Sequence, residues 1–164
     1  MRQLRVTAEP EQMMQWLTDA GRRQQTWQRR VEQRAGIRDP RAEQLPDGRL
    51  RWRYDWTDGR RVWRFTTEDV AATKEAIEHV YHAALAGPRA VPVRWRLNER
   101  ISVKPAGNGS DVTVRVLGRM TGASRVLHVL GHRDTATTAR LADMARLQAD
   151  QTASAIAAHF QDGT

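Results

Sequence analysis

The run Asp134–Phe160 constrains this chain more than any other stretch. Its larger apolar residues, Leu141, Met144, Leu147, Ala155 and Phe160, sit mostly at three-, four- or eight-residue offsets, while Arg140, Asp143, Arg146 and Asp150 fall elsewhere. That spacing predicts one long amphipathic helix with Asp134 as its N-cap. Such a helix is about 39 Å long, close to the roughly 36 Å reach of the longest strand candidate, Arg94–Lys104. A helix and a strand of matched length can lie across each other, so the earlier part of the chain reads as a sheet that wraps the helix.

The earlier part supplies that sheet. Gln3–Thr7 is a short strand candidate, and Pro10 suits the first turn of a helix that carries Met13, Trp16 and Leu17. Asp19-Ala-Gly21 ends it. Arg22–Arg34 is polar apart from Trp27 and Val31, and reads either as a short surface helix or as a lead into a strand near Val31–Ile37. Asp39-Pro40 and Pro46-Asp47-Gly48 have turn composition. From Leu50 the period becomes two, with Trp52, Tyr54 and Trp56 on one face and Arg51, Arg53 and Asp55 on the other. Asp58-Gly59 favours a hairpin, and the returning strand places Trp63 and Phe65 on a common face.

Thr66–Asp69 then offers capping residues for a helix over Asp69–Leu85, in which Val70, Ile77, Val80, Tyr81, Ala84 and Leu85 form one stripe. Arg94–Lys104 follows, and a loop over Lys104–Ser110 leads to an antiparallel partner, Asp111–Leu117. Gly118–Gly131 reads as a short apolar turn or a prelude to the long helix. At most six strands are counted this way.

Composition narrows the chemistry. The 164 residues fit one domain over 1–164. With no cysteine, disulfides, thiolate nucleophiles and cysteine metal sites are excluded, and a reducing cytoplasm is the expected setting. No window approaches the apolar length of a membrane span, and the opening residues lack a signal core. The net charge of +8 is carried almost entirely by arginine. That skew fits an anionic partner, and it equally fits the codon usage of a GC-rich genome.

The order of elements resembles the START-like, Bet v 1-like (SRPBCC) superfamily of polyketide cyclase/dehydrase and lipid-transport proteins. Two stretches carry the likeness. Val6-Thr-Ala-Glu-Pro-Glu-Gln-Met-Met-Gln-Trp-Leu-Thr-Asp19, with Trp27 beyond it, is similar to the opening of that superfamily. Leu97-Asn-Glu-Arg-Ile101, Gly109-Ser-Asp-Val-Thr-Val114 and the Gly118–Gly122 exit are similar to its last hairpin. The resemblance implies an α+β helix-grip fold, a curved antiparallel sheet wrapped around the C-terminal helix, here with an extra helix inserted in the meander. It also implies a cavity for a hydrophobic small molecule of aromatic, polyketide or isoprenoid type.

Candidate ligand-binding residues are Trp52, Tyr54, Trp56, Trp63 and Trp95 on the sheet, His128 at the mouth, and Met144 and Leu147 on the helix; the same aromatics could simply fill the core. Glu99 falls between Leu97 and Ile101 on the apolar face, where desolvation would make it a general acid or base unless an arginine or a bulge takes it. The pairs His79/His82 and His128/His132 lack a third ligand and read as solvated helix histidines, so no metal is expected, and nothing calls for a cofactor. No serine sits in a nucleophile elbow. On the opposite face, Arg51, Arg53, Arg94, Arg96, Arg100 and Arg115 could track phosphates, which makes nucleic acid the alternative partner. An edge-protecting solvated face explains them as well. The oligomeric expectation is monomer or homodimer.

Overall fold

The computed structural model describes residues 1–33, 35–47, 49–57, 62–86, 94–122 and 135–161. Seven strands form one antiparallel sheet: β1 (Arg2–Val6), β2 (Ile37–Gln44), β3 (Leu50–Thr57), β4 (Val62–Ala72), β5 (Ala76–Ala86), β6 (Arg94–Ala106) and β7 (Gly109–Thr121). Their order is β1-β7-β6-β5-β4-β3-β2, so the first strand closes onto the last. Helices α1 (Pro10–Thr18) and α2 (Ala20–Gln33) stand between β1 and β2, and α3 (Thr135–Gln161) follows the sheet. This is the α+β helix-grip arrangement, and α3 matches the predicted helix to within a residue at each end. Its proposed cap, Asp134, lies outside the described residues.

Three expectations are corrected. Asp69–Leu85 is not a helix. It is the end of β4, a turn, and β5, which brings the strands to seven. Thr73 makes the turn: its N–H donates to the Ala76 carbonyl at 2.8 Å, and its hydroxyl oxygen accepts the Ala76 N–H at 3.0 Å. The apolar stripe at helical spacing is overridden because alternate residues Ile77, His79, Tyr81 and Ala83 can all face inward while β4 and β6 pair with both edges.

The Lys104–Ser110 loop shrinks to a two-residue hairpin at Gly107-Asn108, where Gly107 takes φ +59°. Asp39-Pro40 is not a chain reversal but a bulge inside β2, between Arg38 and Arg41, with Asp39 at φ +48°.

The ambiguous stretch after α1 is settled as a helix. Asp19 serves both sides of the junction, its N–H closing α1 onto the Gln15 carbonyl at 3.0 Å and its carboxylate accepting the Arg22 N–H at 2.9 Å as the N-cap of α2. Met13, Met14 and Leu17 of α1 are buried with Val103, Val112 and Val114 of the sheet. Helix α3 buries Leu141, Ala149 and Ile156. An Arg2 guanidinium nitrogen reaches Asp150 at 2.9 Å and ties β1 to α3. Among the described residues no helix is long and apolar enough to cross a membrane.

Candidate functional site

Directly opposed residues of antiparallel strands share a face, so the register fixes what looks inward. Trp56 faces Trp63, Tyr54 faces Phe65 and then Ala83 and Trp95, and Trp52 faces Thr67, Tyr81 and Leu97. The aromatics of the hairpin and of the long strand therefore lie on one face, as the alternation predicted. Tyr54 stacks on Phe65 at 4.9 Å and 7°, and Phe65 meets Trp95 edge-on at 5.6 Å.

Between this face and the three helices is a cavity of about 580 Å³, within the range of small-molecule sites. Trp52, Tyr54, Phe65 and Trp95 wall it from the sheet; Trp27 and Val31 come from α2, and Met144, Leu147 and Ile156 from α3. Of the residues nominated from sequence, Trp52, Tyr54, Trp95, Met144 and Leu147 line the cavity; Leu147 is 55% exposed and stands at its opening. Trp56 and Trp63 lie farther along the same face without lining it, and the Trp56 indole donates to the Ala35 carbonyl at 3.3 Å. His128 and His132 lie outside the described residues.

One row of the inner face is polar. Asp69, His79 and Glu99 sit directly opposite one another on β4, β5 and β6. Glu99 is 2% exposed, as its position between Leu97 and Ile101 implied. Among the described residues neither an arginine nor a bulge takes it. Tyr81 donates to Oε2 at 2.6 Å, Thr152 to Oε1 at 2.6 Å, and the Gln148 amide to Oε1 at 3.3 Å and to the Tyr81 oxygen at 3.0 Å. Two residues of α3 are thus held to the sheet through one buried carboxylate whose oxygens both accept from neutral donors.

The second carboxylate was not found from sequence. Asp69 precedes a bulge at Val70, and Asp69, His79 and Arg23 are each close to nine-tenths buried in their side chains. Its Oδ1 accepts from Arg23 and lies 3.0 Å from His79 Nδ1, and its Oδ2 accepts the Leu50 N–H at 3.2 Å. Burial pushes this carboxyl up, but the hydrogen bonds from His79 and Arg23 outweigh it and hold the group below the ordinary aspartate range.

Asp69 is therefore ionised at neutral pH and can only accept. In a neutral His79 the proton must sit on Nδ1, leaving the Nε2 lone pair free. The helix assigned to Asp69–Leu85 hid this pair. Period two continued past Phe65 would have set Thr67 and Asp69 inward, and the same alternation through Ile77 and Tyr81 brings His79 with them.

His82, three residues on, points to the other face, opposite Thr66 and Arg96. Burial, with Arg96 nearby, lowers its imidazole below the ordinary histidine range. The two histidines are not a helical pair, and among the described residues no three His, Asp or Glu side chains are grouped to hold a metal ion.

The arginines do share the outer face. Arg51 pairs with Glu68 at 2.6 Å, Arg53 approaches Glu43 at 3.7 Å, and Arg100 pairs with Glu78 at 2.9 Å. Arg96 donates to Asn98 at 2.7 Å. Arg94 lies opposite Thr121, Arg96 opposite Arg119, and Arg100 opposite Arg115.

No protein-family profile matches the chain, and no curated protein sequence matches it. Solved structures do. The Mll3558 protein from Rhizobium loti superposes with a TM-score of 0.50 at 16% identity over 90% of both chains. The di-domain ARO/CYC StfQ from the steffimycin biosynthetic pathway superposes with a TM-score of 0.54 at 16% identity, over 97% of this chain and 48% of that one. The chain thus spans about half of StfQ, and at these identities the likeness is one of fold.

Proposed function

We propose that this chain is a single START-like domain, akin to the SRPBCC superfamily, that binds a hydrophobic small molecule between the sheet and α3. The observation that carries this reading is the cavity of about 580 Å³ walled by Trp27, Trp52, Tyr54, Phe65 and Trp95. Aromatic walls stack on rings and conjugated chains, and the polar row gives the ligand a fixed orientation. A cyclase among the structural neighbours supports a ligand of polyketide or aromatic type, with modification of that ligand as an extension of binding. Trp52, Tyr54, Trp95, Met144 and Leu147 are the contact residues in this reading. Glu99 is assigned to holding Tyr81, Gln148 and Thr152 in place. Native mass spectrometry of the freshly purified protein tests it: one small organic molecule per chain is expected, released by organic solvent.

A second reading has its own observation. Like charges directly opposed across strands are destabilising, and Arg96 with Arg119 and Arg100 with Arg115 form two such pairs on the outer face. A nucleic-acid backbone would relieve them. In that case log affinity falls with log salt at about 0.9 per phosphate on duplex DNA, and changing Arg94 and Arg96 to glutamine flattens the slope by about two units. The ion pairs of Arg51 and Arg100 with Glu68 and Glu78 favour a solvated face instead, for which the salt slope is near zero in both proteins.

A further inference from the structure

Among the described residues, the buried side-chain polar atoms without a hydrogen-bond partner are all indole nitrogens, those of Trp16, Trp27 and Trp52. All three rings line the cavity. Buried donors are nearly always paired, because one left alone has lost its water and gained nothing. The buried carboxylates of the same wall are already engaged: Glu99 accepts from Tyr81, Thr152 and Gln148, and Asp69 accepts from Arg23 and the Leu50 N–H. An indole N–H donates and never accepts. The hydrogen bonds left unmade around this cavity therefore call for acceptors.

Two of the three donors are neighbours. Trp27 of α2 and Trp52 of β3 have ring centroids 6.4 Å apart and planes at 30°, and the Arg23 guanidinium stands 5.3 Å from the Trp52 ring. Trp16 packs instead against Arg22, His159 and Phe160. The corner between α2 and β3 thus gathers two unpaired N–H groups beside a guanidinium. Both nitrogens are shielded from water, so a ligand atom reaches them as the rings turn about χ2, a torsion with broad wells.

We propose that the cavity is selective for a ring compound bearing a carbonyl oxygen, an aryl ketone or a quinone, which accepts from the Trp27 and Trp52 indoles at the α2–β3 corner while its rings lie against the aromatic wall. This rests on the cavity reading above and adds to it the identity and position of the ligand's polar group. A carbonyl oxygen carries two lone pairs and can take both donors. A hydrocarbon of the same outline fills the same space and leaves both N–H groups unpaired.

The test is a set of titrations of the full chain, isotope-labelled at the tryptophan indole nitrogens, with naphthalene, 2-acetylnaphthalene and 2-isopropenylnaphthalene. The last replaces C=O by C=CH2 at nearly unchanged shape. Affinities and indole N–H shifts are read from the same NMR spectra, with each indole assigned through bonds. Because water holds the ketone better than the alkene, each affinity is divided by that compound's water-to-alkane partition coefficient. On this scale the ketone is expected to bind at least about tenfold more tightly than the alkene, the effect of a hydrogen bond in a desolvated site. The Trp27 and Trp52 N–H protons are expected downfield of their positions in the alkene complex. In Trp27→Phe and Trp52→Phe the excess shrinks, whereas loss of packing alone weakens ketone and alkene together.

If the wild-type protein binds naphthalene but ketone and alkene are equal on that scale, or the Trp27 and Trp52 signals coincide in the two complexes, the carbonyl proposal is overturned and the cavity reading stands. If none of the three binds, both fall. The wild-type spectra decide the matter even where a variant does not fold.

Discussion

Asp69 joins α2, β3 and β5 at the inner face through Arg23, the Leu50 N–H and His79. It is an ionised carboxylate held by Arg23, His79 and the Leu50 N–H, and its side chain is only 11% exposed. Removing the charge leaves Arg23 buried without its counter-ion, a change that costs about 3–5 kcal/mol in comparable buried pairs. Asp69→Asn should lose stability of that order in urea denaturation at neutral pH.

The pH dependence has a definite sign. Because the folded carboxyl lies below the free aspartate value of 3.8, its contribution is complete above that pH and is lost as the pH falls through the lower, folded value. The Asp69 contribution to the difference between wild type and Asp69→Asn should therefore narrow as the pH falls below about 4. A difference that widened on acidification would contradict the ionised assignment.

At the scale of elements, the crossing of α3 over β7 is set by a close approach. A Cβ built on Gly118 would lie 2.7 Å from Leu141 Cγ and 3.0 Å from Leu97 Cδ2. Gly118→Ala should cost about 1–3 kcal/mol through overpacking, measured as a lower denaturation midpoint at unchanged slope. An unchanged midpoint would mean that α3 does not sit on the strand as described.

Elements differ in how legible they were in the sequence. α3 and the strand at Leu50 were readable because each carries one unambiguous period. The helix assigned to Asp69–Leu85 failed because Val70, Ile77, Val80, Tyr81, Ala84 and Leu85 satisfy a helical stripe while Ile77, Tyr81, Ala83 and Leu85 satisfy a strand, and the alanines tilt local propensity toward helix. Pairing with β4 and β6 decides the outcome, and no local window contains that information. The site inherited the error. The aromatic wall followed from alternation alone, whereas Asp69 and His79 became a pair only when their strands were placed side by side.

For the whole molecule, the two faces of the sheet divide the aromatic residues from the arginines. The inner face holds the aromatics and the polar row, and the outer face holds the arginines and the acids that pair with them. The account stands or falls on the inner one, as an open volume that takes a ring compound. Ala155 gives direct access to it, since it is an exposed residue of α3 whose side chain lines the cavity. Ala155→Trp should keep the native circular dichroism and place an indole in the mouth. The decisive measurement is the naphthalene titration of wild type against this variant. Saturable one-to-one binding to wild type, weakened on the order of tenfold or more in Ala155→Trp, by about 1.4 kcal/mol or more, is the expected result. Equal binding by the two folded proteins would contradict the cavity as the ligand site.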